Sequence, residues 1–260
     1  LPLHDALPIY LCDTITVMRD GNYVDTFRAA EITEDELIRH MVGRDVTALF
    51  PKTEGNKPGE VVLKVEGLSS TGLFDDISLE IREGEIVGLA GLVGAGRSEV
   101  VRAVFGVDAY DSGTVWMDGK KLAPRNPRRA IAAGIAMVPE DRRQQGLHME
   151  ASISRNITLI LRDSLSRLGL LTSAMEDGPA SEWGGRLQVK ARDVDATGSM
   201  LSGGNQQKVV LAKWLSTRPK ILIIDEPTRG IDVGTKSEVH RLLDQLACDG
   251  MAVLMISSEL

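Results

Sequence analysis

Three short stretches hold residues whose types and spacing suit chemistry on a phosphate. The first, Gly91-Leu-Val-Gly94-Ala95-Gly96-Arg97-Ser98, is a glycine-rich loop between a strand pattern (Glu85-Ile-Val-Gly-Leu-Ala) and a helix pattern from Glu99 to Phe105 that Gly106 closes. In a strand–loop–helix, backbone N–H groups are free to cradle phosphate oxygens, and this loop fits G-x-x-x-x-G-K-[ST] except that Arg97 stands for Lys. The second, Ile221–Ile224, is wholly apolar and predicts a strand buried on both faces, with Asp225 and Glu226 at its C-terminal end. Open parallel sheets bind ligands just beyond that end. Adjacent carboxylates there suit a hard cation and a base that activates water. The third, Ser202-Gly203-Gly204, precedes a helix predicted from about Asn205 to Leu215. Two glycines before a helix leave its first N–H groups close to any anion.

Each stretch alone is common; their order and spacing together are specific. On these residues the chain resembles the ATP-binding cassette (ABC) ATPases, with Gly91–Ser98 as Walker A, Leu201–Lys208 as the signature, Ile221–Glu226 as Walker B and Gly230-Ile-Asp232 as the D-loop. The resemblance implies an α/β P-loop NTPase fold: a RecA-like parallel-sheet core, an antiparallel β edge sheet and a helical subdomain at about 140–215. It implies ATP and Mg2+ as cofactors. Gly91, Gly94, Ala95, Gly96, Arg97, Ser98 and Glu99 would hold the nucleotide, and Ser98, Asp225 and Glu140 the Mg2+. Glu226 would act as catalytic base and Ser258 would stand near the γ-phosphate. Cassettes of this family pair head to tail, so Ser202, Gly203, Gly204 and Asp232 would serve the nucleotide of a partner cassette. Near residues 68–75 the family usually has an aromatic that stacks on adenine; Phe74 is the candidate, and a packing role serves it equally.

Three departures concern this cassette's own nucleotide. Arg97 keeps the charge of Lys, but its planar fork is not a compact ammonium. Glu140 falls where a Gln is common, and Ser258 where a His is common. They imply a site that binds ATP and hydrolyses it slowly, paired with a more active one. Val-Pro-Glu140-Asp-Arg, together with Leu-Ser-Gly-Gly-Asn-Gln-Gln-Lys and Glu-Pro-Thr-Arg-Gly-Ile-Asp-Val-Gly, resembles the second cassette of tandem ATPase subunits of bacterial monosaccharide importers. That branch implies membrane permease subunits and an extracytoplasmic sugar-binding protein as partners, no nucleic acid, and a place on the cytoplasmic face of the membrane. The same motifs also serve soluble tandem ATPases acting on ribosomes or DNA, and cassettes that sense nucleotide without turnover.

Composition narrows these alternatives. A chain of 260 residues with 43% hydrophobic content can bury one or two cores. A net charge of −7 argues against broad electrostatic binding to nucleic acid or anionic lipid. The basic groups Arg125–Arg129 and Arg142-Arg143 read as solvated loop charges. Cys12 and Cys248 lack metal-ligand spacing, the four histidines form no catalytic arrangement, and no apolar run approaches the length of a membrane span.

The order of parts predicts a tandem protein. Residues 1–10 fit no pattern and open without Met. Thr14–Arg19 and Tyr23–Phe27 predict a hairpin around Asp20-Gly21, and Thr33-Glu-Asp-Glu36 is a capping box for a helix that Gly43 ends. In the resembled family such a hairpin and helix follow the Walker B half; here they precede it. Residues 11–50 are therefore expected to be the tail of a first cassette, 51–60 a linker, and 61–260 a second cassette lacking its own tail. Residues 61–66 and 77–81 alternate as half-exposed strands, and 150–200 read as mostly helical with a loose polar patch near Asp177–Gly185.

Overall fold

The computed structural model describes residues 9–19, 21–42, 57–92, 94–166, 169–191, 193–231 and 233–258. Asp20, Gly43, Asp232 and the expected linker up to residue 56 lie outside them. The strands are β1 (Thr14–Arg19), β2 (Asn22–Arg28), β3 (Val61–Ser70), β4 (Phe74–Arg82), β5 (Ile86–Ala90), β6 (Ser112–Met117), β7 (Lys120–Lys121), β8 (Ile135–Val138), β9 (Ile221–Asp225) and β10 (Ala252–Ser257). The helices of two turns or more, or nearly so, are α1 (Glu34–Val42), α2 (Arg97–Phe105), α3 (Pro127–Ala132), α4 (Ile153–Thr158), α5 (Ser173–Arg186), α6 (Gly203–Leu215) and α7 (Val233–Cys248), and a single helical turn spans Arg162–Leu165.

β5, β10, β9 and β8 form a parallel sheet in that order, and β4, β3, β6 and β7 an antiparallel one. Every residue of β8 and β9 is buried, as a parallel strand covered on both faces requires. The β3–β4 pair is longer than the expected segments and carries register shifts at Val65/Leu68 and Leu68/Ser70. Ile221–Ile224, Val253, Leu254 and Ile256 join Val100, Val101, Val104, Phe105, Val209, Val210, Leu211, Trp214 and Leu215 in one continuous core, where Phe105 meets Trp214 edge to face at 5.6 Å.

The β1–β2 hairpin and α1 hold a second small core of Ile15, Val17, Ala29, Ile32 and Leu37. Its helix opens as the capping box dictates: Thr33 N–H and hydroxyl donate to Glu36 Oε2 at 3.0 and 2.8 Å, and Glu36 N–H donates back to Thr33 Oγ1 at 3.4 Å.

Two local expectations change. Asp177–Gly185 is no loose patch but the body of α5. Its helix is set by tertiary contacts: buried Glu176 accepts a 2.9 Å hydrogen bond from Thr158 Oγ1, and Ala180 is fully enclosed, despite Pro179 within the helix. The helix expected from Asn205 starts at Gly203, because Ser202 is its N-cap. Among the described residues no helix is long and apolar enough to cross a membrane.

Lys213 sits on α6 with 5% exposure, its Nζ donating to the Gly146 carbonyl and packing 5.6 Å from the Trp214 ring. Burial lowers its pKa to about 8. The unfolded chain therefore holds this proton up to the ordinary lysine value near about 10.4, while the folded chain releases it from about 8. Folding stability should rise with pH across that window by about 2 kcal/mol or more. Urea unfolding at a series of pH values should show that rise in the wild type and its loss in Lys213→Met; equal slopes would contradict it.

Candidate functional site

The parallel register brings four strand ends into one line. Ile256 pairs with Asp225, Ser257 with Ala90, and Val138 with Ile224. The residues that follow these ends are Glu226, Ser258, the Gly91 loop and Pro139-Glu140. Segments far apart in sequence thus share the C-terminal edge of one sheet, where ligands bind in open α/β folds.

The glycine loop turns tightly into α2. Gly96 is its N-cap with φ +83, and a Cβ there would lie 2.5 Å from the Leu73 carbonyl oxygen, so only glycine fits both the conformation and the space. Leu73 and Phe74 thereby lie against the loop. Beside them is a cleft of about 610 Å³ lined by Ser70, Thr71, Phe74, Asp75 and Asp111. The Asp111 carboxylate accepts both Thr71 N–H and Thr71 Oγ1–H at 2.7 Å, which fixes the turn before Phe74. Phe74 is half-buried and packs against the main core.

Arg97, the first residue of α2, does not lie out in solvent. Its Nη1 donates to the Ser257 carbonyl at 2.6 Å, and its Nη2 stands 3.7 Å from Glu226 Oε1, with side-chain exposures of 12% and 9%. A guanidinium serves both partners at once, as a lysine ammonium would not in this geometry. Glu226 itself has φ +45, an uncommon conformation for a residue with a side chain and one that clusters at functional sites.

Asp225 is 3% exposed, and its Oδ1 has no hydrogen-bond partner among the described residues. Burial pushes its carboxyl above the usual range, while the neighbouring Ser98 hydroxyl and the Arg97 charge pull the other way. Its surroundings leave an acceptor and a negative charge unmet. With the Ser98 hydroxyl alongside, this oxygen-donor set fits a small hard cation that keeps much of its own coordination from water and phosphate. Ser98 and Glu99 are half-buried in the first turn of α2, and Gly91, Gly94 and Ala95 are exposed in the loop before it. Glu99 lies near enough to raise the Asp225 carboxyl further. Ser258 is exposed directly after β10. Glu140 forms an ion pair with Arg229, so its carboxylate is already engaged.

Ser202, Gly203 and Gly204 occupy the start of α6. Ser202 Oγ accepts from Asn205 N–H at 3.4 Å and from Asn205 Nδ2 at 3.0 Å. With two donors on its oxygen, the exposed Ser202 hydroxyl still has its own proton available for donation. Asn205 in turn accepts from Lys190 N–H at 2.7 Å. The glycines answer to packing as well as to any phosphate. A Cβ on Gly204 would meet Thr235 at 2.8 Å, and one on Gly203 would lie 2.8 Å from Arg142 Nη2 and 3.2 Å from the Gly230 carbonyl oxygen.

Arg142 and Arg143 were expected as solvated loop charges; Arg143 is exposed, and Arg142 is the one sequence reasoning missed. Arg142 is half-buried and donates to two backbone carbonyls, Arg229 at 2.8 Å and Gly230 at 3.0 Å; Arg143 Nε reaches Gln206 Oε1 at 3.3 Å.

Comparison with known proteins follows this geometry. Residues 74–229 match the ABC transporter family. The chain is 58% identical over 251 residues to a ribose import ATP-binding protein of Rhodococcus jostii, covering 96% of this chain and 50% of that protein. It is 51% identical over 249 residues to a putative ribose/galactose/methyl galactoside import ATP-binding protein of Rhizobium meliloti, with the same coverage. The chain spans about half the length of the curated relatives it matches. Among solved structures it resembles a nucleotide-free ATP-binding cassette from an ABC transporter, with TM-score 0.66, 20% identity, and 77% of this chain and 83% of the other covered. It also resembles a dimeric post-hydrolysis cassette bound to ADP and phosphate, with TM-score 0.65, 24% identity, and coverage of 76% and 88%. These likenesses establish the α/β P-loop NTPase fold.

The buried Asp225 charge should cost the fold stability. Its folded-state carboxyl keeps a proton to higher pH than the unfolded one, so stability falls as pH rises through the carboxylate range. Asp225→Asn should therefore be more stable than wild type at neutral pH, seen as a higher Tm without added metal; a lower Tm would contradict it.

Proposed function

The chain belongs to the ABC transporter family, and on that premise we propose that it is an ATP-binding and hydrolysing subunit energising monosaccharide import across the cytoplasmic membrane. The observation that carries this reading is the meeting of the Gly91–Ser98 loop, Asp225 and Glu226 at one sheet edge, in a chain whose similar proteins are named for ribose import. In this reading residues 11–50 are the tail of a first cassette, 51–60 the linker and 61–260 a second cassette. The two pair within a longer protein and dock on permease subunits at the cytoplasmic face, with a sugar-binding protein outside.

The chemistry follows from the residues. Loop N–H groups of Gly94–Ser98 and the N-terminus of α2 bind the β- and γ-phosphates. Ser98 and Asp225 would hold Mg2+, with Glu140 sharing its carboxylate between Arg229 and the site; the ion would neutralise phosphate charge. Glu226 orients and polarises the attacking water, with Ser258 near the γ-phosphate. Arg97 lies between Glu226 and the loop, so phosphate and carboxylate compete for one guanidinium. That competition, with Ser258 in place of a cation, supports slow turnover at this site. Ser202, Gly203, Gly204 and Asp232 serve the partner's nucleotide, for which the exposed Ser202 hydroxyl is suited.

Purified chain should bind Mg-ATP in the micromolar range. Glu226→Gln should keep that affinity while lowering any turnover by ~100-fold. A folded chain that fails to bind Mg-ATP would overturn the reading. Recovery of the chain with ribosomes rather than with membranes would favour the alternative of an ATPase acting on the ribosome.

A further inference from the structure

We propose that Arg142 is a positioning residue that locks the segment after β8 to the turn after β9 and to the start of α6, so that these three pieces move as one block. It rests on the reading above, in which the first piece serves this chain's own nucleotide and the other two serve the partner's.

The geometry is reciprocal. From Pro139-Glu140-Asp141-Arg142, the Arg142 guanidinium spans two successive carbonyls, Arg229 and Gly230, across 87 and 88 residues of sequence. From the opposite segment, the Arg229 guanidinium returns to Glu140. Each segment thus grips the other through an arginine. Gly203 is the third member: a Cβ there would lie 2.8 Å from Arg142 Nη2 and 3.2 Å from the Gly230 carbonyl oxygen, so the start of α6 packs closely on the pair and a side chain would push the guanidinium aside.

The base of the grip is held by hydrogen bonds at both ends. Arg142 opens a π-helical turn, Arg142–Gly146, capped by the Asp141 carboxylate, which accepts Arg143 N–H at 2.9 Å and Gln144 N–H at 3.0 Å. The far end of the turn is pinned by Lys213 at the Gly146 carbonyl, and Arg143 adds the contact to Gln206. π-turns recur at functional positions because they re-aim side chains within a helical segment. Holding a half-buried cation beside Arg143 raises the cost of its charge, and two charge-assisted bonds to carbonyls offset it.

A planar fork is needed to span two adjacent carbonyls, so Arg142→Lys keeps the charge and loses the bridge. The test compares the full chain with Arg142→Lys by hydrogen exchange at the amides of 203–206 and 229–231, with and without Mg-ATP, alongside Tm and steady-state turnover. In the wild type, Mg-ATP should slow exchange in both segments together. In Arg142→Lys, exchange at Gly230 and Ile231 should rise several-fold, and protection of the two segments should no longer change together. The kcat should fall ~10-fold with KM for ATP within about twofold, and Tm should stay near wild type. Wild-type protein that binds no Mg-ATP would overturn the functional reading and this proposal with it, whereas Mg-ATP binding without joint protection of the two segments would overturn the proposal alone. Coupled protection persisting in the variant, or exchange rising throughout the chain with a large loss of Tm, would overturn the proposal alone.

Discussion

The site depends on one constraint: a carboxylate held at the end of a wholly buried strand. β9 has no exposed residue, so Asp225 is drawn into the core with the four apolar residues before it. Its free oxygen is unmet among the described residues, and its charge is opposed chiefly by burial. Buried charges persist when a partner offsets them. The protein groups that offset it are the Ser98 hydroxyl and the charges of Arg97 and Arg102. The register that carries Asp225 to the sheet edge also aligns Ala90, Val138 and Ser257, and so fixes where the glycine loop, Glu140 and Ser258 begin.

Arginines then do what loops alone cannot. Arg97 binds the end of β10 to Glu226 across the sheet edge. Arg142 and Arg229 bind the two neighbouring turns to each other. In each case a guanidinium meets a carbonyl or carboxylate on a segment distant in sequence. These contacts tie the loops at the sheet edge to one another, as positioning chemistry on a phosphate requires.

Much of this was legible in the sequence where local rules decide the outcome. The apolar run Ile221–Ile224, the glycine loop between strand and helix, and the Thr33–Glu36 box each specify their structure within a few residues, and each appears as read. The start of α6 was misread by two residues because Ser202, rather than the glycines, makes the cap. The body of α5 was hidden because Glu176 and Ala180 become helix-stabilising only when α4 covers them. Arg142 was hidden for the same reason at longer range: nothing near it in sequence indicates that Arg229 and Gly230 will lie within reach. Its neighbour Gly203 held the available signal, since a glycine can mark a close approach as well as a flexible turn.

The most direct test of the central claim is calorimetric titration of ATP into the chain with Mg2+ and with excess chelator, for wild type and Asp225→Asn. If Asp225 is the carboxylate the site is built around, Mg2+ should strengthen ATP binding to the wild type at least ~10-fold, or about 1.4 kcal/mol, and leave the variant nearly unchanged. An equal Mg2+ effect in both proteins would contradict it.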